Sequence, residues 1–156
     1  MGYIMELRKL VGHVPLMQVG ASVIVEDECG RVLLQLRSDN HCWGYCGGSV
    51  DLGEEVEEAA KRELYEETGL VALSLDLFGV FSGKDTHYIY PNGDEVYNVD
   101  VVYICRKYSG ELLPQKGEVD DLRFFELSEI PHNISKPIKK ALEAYIASRK
   151  CQNTII

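Results

Sequence analysis

The chain has 156 residues, of which 46% are hydrophobic, and its formal net charge is −9. That length predicts one domain with a buried core over residues 1–156, and the negative charge disfavours sequence-independent binding to nucleic acid, which Lys and Arg clusters provide. No apolar run approaches the roughly 20 residues of a membrane span, and the charged start MGYIMELRKL is unlike a signal peptide, so we expect a cytoplasmic protein without a membrane partner.

The first half of the chain predicts two strands, a loop and a helix. The runs at 16–26 and 31–37 have the apolar, β-branched character of strands, and the turn between them at 28–31 indicates a hairpin. Residues 38–53 form a loop rich in Gly and Asp. A helix is expected from about Glu54, and Gly69 is expected to end it, as glycine commonly does past a helix C-terminus.

The second half predicts four strands and a final helix. A strand is expected at 71–82, and the segments at 86–90 and 95–108 flank PNGD, which contains the Asn-Gly hairpin signal. A short strand follows at 122–130, and apolar residues recur with helical period over 135–147. The predicted fold class is α/β, with a mixed and strongly twisted β-sheet.

The five cysteines are odd in number and irregularly spaced, which favours reduced thiols over a disulfide framework. His41-Cys42-x3-Cys46 has the form of half a zinc site, but no second Cys/His pair follows at the usual spacing. We therefore interpret Cys46 as a neutral packing residue.

The helix sequence RELYEETGL at 62–70 carries an unusual set of glutamates. At roughly 100° per residue, Glu63 and Glu67 lie on the same side as the apolar positions that should face the protein, with Glu66 at the margin of that side. Arg62 can neutralise one charge, but three neighbouring acids repel each other unless more positive charge arrives. Mg²⁺ is a hard cation that prefers such oxygens. The alternative interpretation is a salt-bridged surface helix.

The segment at 48–70, GSVDLGEEVEEAAKRELYEETGL, resembles the Nudix hydrolase signature G-x5-E-x7-R-E-U-x-E-E-x-G-U, where U is aliphatic, and every fixed position matches. Similar pieces surround this Nudix box: LLQLR before it, W-x3-G-G at 43–48, and LRFFELSEIP near the end. One departure is Cys46, where many members have proline. Proline would stiffen the loop, but its absence removes no metal ligand. The resemblance implies a Nudix-type α/β/α sandwich.

The resemblance also implies a reaction, in which water attacks phosphorus and cleaves the phosphoanhydride of a nucleoside diphosphate linked to another moiety. Mg²⁺ is the implied cofactor, with Mn²⁺ as a substitute. By motif position Glu66 and Glu67 are the principal metal ligands, Glu63 is a further ligand or the general base, and Gly47 is a ligand through its carbonyl. Arg62 would hold the carboxylates in place.

A second candidate for the base lies outside the box. Glu118, in the sequence QKGEVDDLRFF, precedes the last predicted strand and is a distal metal ligand or the base in this interpretation. The alternative is a solvated loop glutamate. Periodicity directs Glu63 inward, which favours Glu63 over Glu118 as the base.

The signature leaves the substrate open. We expect a nucleoside or deoxynucleoside triphosphate, with an oxidised nucleotide included. The alternatives are a dinucleoside polyphosphate or nucleotide-sugar hydrolase, a non-catalytic Nudix-fold nucleotide sensor, and an acidic interaction domain. The intact RELYEE argues against a sensor. Aromatic side chains can stack on a base, although core packing is expected for each of them: Trp43, Tyr88, Tyr90 and Tyr97. A monomer and a homodimer are both compatible with the sequence.

Overall fold

The computed structural model describes residues 2–152 and contains three α-helices and eight β-strands in that range. In chain order they are α1 (Tyr3–Val11), β1 (Leu16–Val25), β2 (Val32–Arg37), β3 (Trp43–Gly44), β4 (Cys46–Ser49), α2 (Val56–Thr68), β5 (Val71–Phe81), β6 (His87–Ile89), β7 (Glu95–Ser109), β8 (Val119–Phe125) and α3 (Lys139–Gln152). Short 3₁₀ helices at Lys84–Thr86 and Lys136–Ile138 precede β6 and α3.

The strands form two sheets. The larger sheet has the order β4-β1-β7-β5, with β6 also paired to β7, and the smaller one has the order β3-β2-β8. Strands β1 and β7 run parallel, whereas the other pairs of the larger sheet are antiparallel, so the predicted mixed sheet is confirmed. The hairpin of β6 and β7 predicted around PNGD is also present.

The predicted hairpin of β1 and β2 is wrong, because these two strands belong to different sheets. Within residues 2–152, an isolated antiparallel bridge between Glu26, just after β1, and Val32 joins these two segments. The buried end of β1 from Ala21 to Val25 has no exposed face. Such a run suits the interior of a sheet better than a hairpin with one solvated side, and β1 lies between β4 and β7.

Two helices cover opposite sides of the strands, which confirms the α/β/α sandwich. Alternate residues of β1 point to opposite faces. Val23 and Val25 pack in one apolar cluster with Ala60 and Leu64 of α2, whereas Ile24 packs in a second cluster with Tyr145 of α3. No helix within residues 2–152 has both the length and the apolar character that a membrane-spanning helix needs.

Helix α1 was missed by the sequence analysis, which considered its segment only as a possible leader. Its anchor is Arg8, a buried residue whose guanidinium donates hydrogen bonds to three backbone carbonyls, those of Gly12, Val14 and Glu95. A nine-residue helix is too short to be stable alone. Its stability therefore depends on tertiary contacts that sequence periodicity does not reveal.

Several predicted boundaries also shift. Helix α2 begins at Val56 instead of Glu54, because Glu54 folds back and accepts a hydrogen bond from the Asp51 N–H at 3.0 Å. The predicted loop at 38–53 contains the short strands β3 and β4, and the last strand ends at Phe125. Gly69 ends α2 in the left-handed conformation, as predicted, with φ of 77°.

Candidate active site

Glu67 is the buried centre of a carboxylate cluster on α2. Its residue is 5% exposed, and its Oε2 accepts hydrogen bonds from the Gly47 N–H at 2.8 Å and from Gln35 Nε2 at 3.0 Å. Helical periodicity therefore predicted its inward direction correctly. Both partners are neutral, so the hydrogen bonds satisfy the carboxylate without neutralising its charge.

Arg62 connects the other acids of the cluster. Its Nε and Nη2 donate to Glu54 at 2.7 and 3.0 Å, and its Nη1 donates to Glu63 at 2.6 Å. Nη2 also donates to the Ser49 carbonyl at 3.1 Å, whereas Glu66 is 3.5 Å from Nη1 and its side chain is 46% exposed. Arg62 thereby ties the loop before α2 to the acidic side of the helix.

Two adjacent glycines allow this close packing. A Cβ atom at Gly48 would lie 2.5 Å from the carboxyl carbon of Glu63. A Cβ atom at Gly47 would lie 2.7 Å from the Ala21 carbonyl oxygen. Real Cβ atoms do not approach other atoms so closely, so any side chain at either position would displace strand β4 or the cluster.

The electrostatics of the cluster follow from its burial. Burial raises the pKa of Glu67 to about 8, against the opposing effect of the Gly47 hydrogen bond. Burial also raises the pKa of Glu63, where the Arg62 guanidinium opposes it and the charges of Glu66 and Glu118 reinforce it. Burial thus disfavours the charged forms of Glu67 and Glu63, which a nearby positive charge would favour.

A divalent cation fits the chemistry of this cluster. Four carboxylates belong to this cluster. Those of Glu54, Glu63 and Glu66 contact the guanidinium of Arg62. The fourth, that of Glu67, lies on the adjacent turn of α2. Their oxygens are the donors that Mg²⁺ prefers. Gln35 Oε1, which is buried, has no hydrogen-bond partner in the part of the chain that the structure describes. Over residues 2–152, no three His, Cys, Asp or Glu side chains already converge as a metal-binding group.

Glu118 lies apart from the helix, on an exposed turn immediately before β8. Its carbonyl accepts a hydrogen bond from the Ser38 N–H at 3.0 Å, which joins this turn to the end of β2. Its charge contributes to the raised pKa of Glu63, so the two carboxyl groups are within electrostatic range. The structure thus brings Glu118 towards the cluster without placing it in the cluster.

A cleft opens beside the cluster, and both Gly47 and Gly48 line it. Tyr88 and Tyr90 also line it, with ring centroids 4.9 Å apart in an edge-to-face arrangement, and Arg37 lies in the same lining. The enclosed part of the cleft has a volume of about 100 Å³, and the rest of it is open to solvent. A bound nucleotide would therefore extend from the enclosed part through the open mouth.

The cleft contains a second buried carboxyl group, that of Asp100. It accepts hydrogen bonds from Ser22 Oγ at 2.7 Å and from the Tyr45 hydroxyl at 3.0 Å. Burial raises the pKa of Asp100. Trp43, in contrast, packs edge to face on Phe125 at 4.9 Å and is not part of the cleft lining.

Sequence analysis missed two polar residues of this region, although each had a signal. Gln35 is the polar position within the apolar run VLLQL, and Asp100 interrupts the apolar strand VYNVDVVYIC. A buried polar side chain inside such a run needs a partner. The partners of both residues are far away in sequence, so only the fold identifies them.

Comparison with known protein families and curated proteins gives a consistent result. The family model described as NUDIX domain matches residues 16–145. An ADP-ribose pyrophosphatase of Methanocaldococcus jannaschii is 34% identical over 116 residues, covering 72% of this chain and 64% of that protein. A putative 8-oxo-dGTP diphosphatase of Bacillus subtilis is 48% identical over 62 residues, covering 40% of this chain and 42% of that protein. This chain thus spans less than two thirds of the length of either relative.

Solved structures show the same architecture. A MutT NUDIX hydrolase from Burkholderia pseudomallei superposes with a TM-score of 0.69 at 30% identity, over 82% of this chain and 97% of that one. The MutT protein of Methanosarcina mazei Go1 gives a TM-score of 0.72 at 20% identity, over 88% and 98% of the two chains. The NUDIX domain of Shewanella oneidensis NrtR, solved with ADP ribose, gives 0.69 at 19% identity, over 94% and 98%. The last two similarities concern the fold alone.

Proposed function

This chain belongs to the Nudix hydrolase family, and we propose that it hydrolyses a phosphoanhydride bond in a nucleoside diphosphate linked to another moiety, with Mg²⁺ as cofactor and Mn²⁺ as a substitute. The observation that carries this proposal is the inward carboxylate cluster of α2, held against Gly47 and Gly48, which also line an open cleft. A solvated surface helix would have no reason to bury Glu67.

The residues of the cluster have separate parts in this proposal. Glu66 and Glu67 are the principal metal ligands, and Gly47 contributes a backbone ligand. A divalent cation held by these residues would offset the charge of the diphosphate and lower the pKa of the attacking water. Arg62 is proposed as a positioning residue, since it fixes Glu63 relative to the loop that ends at Glu54.

In the chemical step the water oxygen attacks phosphorus, the bridging P–O bond breaks, and the leaving phosphate receives the electron pair. The water proton goes to a carboxylate. Glu63 is the proposed acceptor, because it is held between Arg62 and Gly48, whereas Glu118 lies on an exposed turn. Glu118 is the second candidate, supported by its electrostatic effect on Glu63.

We infer two substrate classes. Nucleoside and deoxynucleoside triphosphates, oxidised ones included, are the first, supported by the MutT-type relatives and by tyrosines in the cleft on which a base can stack. The second is a nucleoside diphosphate linked to a sugar or another nucleoside. It is supported by the similarity to an ADP-ribose pyrophosphatase over 72% of this chain. Binding of small nucleotides without nucleic acid, by a monomer or homodimer in the cytoplasm, stays a prediction.

A substrate panel tests the proposal. The purified chain is incubated with triphosphates, 8-oxo-dGTP, ADP-ribose and a dinucleoside polyphosphate, each with Mg²⁺, with Mn²⁺ and with EDTA, and products are separated by anion-exchange chromatography. We expect metal-dependent release of a nucleoside monophosphate from at least one substrate, and loss of that activity in Glu67→Gln. Metal-dependent binding without any product would instead identify a nucleotide sensor.

A further inference from the structure

Helix α1 precedes residues 16–145, the part that matches the family model, and hydrogen bonds fix it to two separate parts of the fold. The Tyr3 N–H donates a 2.7 Å hydrogen bond to Asp51 Oδ1, in the loop that leads to α2. Arg8 Nη2 donates to the Glu95 carbonyl at 2.6 Å, at the start of β7. Helix α1 therefore bridges the loop beside the carboxylate cluster and the β6–β7 turn.

A pocket of about 280 Å³ lies where α1 faces this turn. Its lining includes Ile4 and Met5 of α1 together with Tyr90 and Val96, which flank the β6–β7 turn. Gln18 and Tyr90 line both this α1 pocket and the cleft described above. Its lining also includes Ser49, the residue after Gly48, so the α1 pocket borders the cleft beside the strand that carries Gly47 and Gly48.

The charged side chains of the α1 pocket are already paired. The Arg8 guanidinium donates to three carbonyl groups and its Nε is 3.5 Å from Asp94. Asp94 also contacts His13 Nδ1 at 2.8 Å and accepts a hydrogen bond from Asn92 at 2.9 Å. A phosphate tail would thus find no spare positive charge in this lining. The remaining surface is formed by apolar side chains and by two amides that are also paired, since Gln18 Nε2 donates to Ser49 Oγ at 2.7 Å and the Asn92 amide is bound to Asp94. Such a lining suits an uncharged ring better than a phosphate group.

We propose that the α1 pocket binds the uncharged moiety on the far side of the diphosphate, the sugar or second nucleoside of a substrate in which a nucleoside diphosphate is linked to such a ring. This inference rests on the proposed function, since it places the diphosphate at the carboxylate cluster. It gives α1 a defined role, to bind the linked ring in the second of the two proposed substrate classes.

The first test narrows the α1 pocket from the helix side. Ile4→Trp should raise KM for ADP-ribose at least about tenfold relative to KM for ATP, because the indole occupies the space of the ring. Leu10→Trp on the same helix is the matched control, since Leu10 is 83% exposed and is not in the pocket lining. Ile4→Ala should produce a smaller increase, about threefold. A dinucleoside diphosphate assayed beside ADP-ribose distinguishes a nucleoside from a sugar as the bound ring.

The second test measures binding independently of turnover. Two-dimensional NMR of the ¹⁵N-labelled chain is recorded with ADP-ribose and with ADP, both in EDTA and with Ca²⁺. We expect amide shifts at 3–8 and 92–96 with ADP-ribose and not with ADP. If these shifts occur and no substrate is hydrolysed, the α1 pocket is supported as a binding site and the proposed hydrolytic function is refuted. If turnover occurs without these shifts, or if Ile4→Trp changes both KM values equally, the α1 pocket assignment is overturned.

Discussion

Arg62 and Glu54 form a two-pronged pair, with Nε at 2.7 Å and Nη2 at 3.0 Å from the two carboxylate oxygens. The hydrogen bond from Arg62 lowers the pKa of Glu54, so this carboxylate stays charged near neutral pH. The same guanidinium reaches Glu63 at 2.6 Å and the Ser49 carbonyl at 3.1 Å. One planar group thus fixes the distance between the loop at 49–54 and the acidic side of α2.

Replacing Arg62 by lysine should weaken Mg²⁺ binding and turnover more than it destabilises the fold. Lysine keeps the charge but cannot bind Glu54 through two parallel hydrogen bonds while also reaching Glu63. We expect Arg62→Lys to lower kcat about 10- to 100-fold and to raise the Mg²⁺ concentration needed for half-maximal activity. Lys61→Arg is the control, because Lys61 pairs with Glu57 and Glu58 at the surface. An unchanged Mg²⁺ dependence would contradict the positioning role.

Neutralising the two proposed metal ligands should abolish turnover without unfolding the protein. Glu66→Gln and Glu67→Gln should each reduce kcat at least about a hundredfold, because amides bind a hard cation poorly. Since Glu67 is 5% exposed and has neutral partners, its replacement should leave the metal-free melting temperature unchanged or higher. Glu58→Gln on the solvent side of α2 is the control. Near-normal rates in both variants would refute the ligand assignment.

Features that depend on residues close together in the chain were predicted from the sequence, whereas features that depend on residues far apart in the chain were missed. The inward direction of Glu63 and Glu67 and the helix end at Gly69 are local properties of one helix, and both were predicted. The placement of β1 and β2 in different sheets was not predicted, because β1 pairs in parallel with β7, which lies some eighty residues later in the chain. Gln35 was missed for the same reason: its partner Glu67 is 32 positions away.

A buried hydroxyl group should stabilise the attachment of α3. Tyr145 is fully buried, and its hydroxyl donates a hydrogen bond to Glu26, which also contacts Arg106 Nε at 3.2 Å and Arg149 Nη2 at 3.3 Å. Tyr145→Phe should lower the free energy of unfolding by about 2 kcal/mol, because Glu26 loses a buried donor. Urea denaturation measures this change. Tyr65→Phe, at a residue that is 59% exposed, should change it by less than about 0.5 kcal/mol.

Cys46 should prove a packing residue despite its position beside the cluster. It is 4% exposed, its Sγ contacts the Val23 carbonyl at 3.3 Å, and burial raises its pKa well above that of a free thiol. Cys46→Pro should keep kcat within about tenfold of the unmodified enzyme, since β4 is an edge strand. Inactivation by a thiol reagent that substrate prevents and that Cys46→Ser abolishes would show a direct chemical role instead.

Single-turnover kinetics should separate the two candidate bases. Glu63 is held by Arg62 at 2.6 Å and packs against Gly48, so Glu63→Gln should slow the chemical step and also weaken metal binding. Glu118 is exposed on a turn, so Glu118→Gln should leave metal affinity nearly intact, with a small loss of rate if Glu63 is the base. Asp120→Asn, two positions along the same segment, controls for a general effect of charge. A wild-type rate for Glu63→Gln at saturating Mg²⁺, with a large loss confined to Glu118→Gln, would assign proton abstraction to the turn before β8.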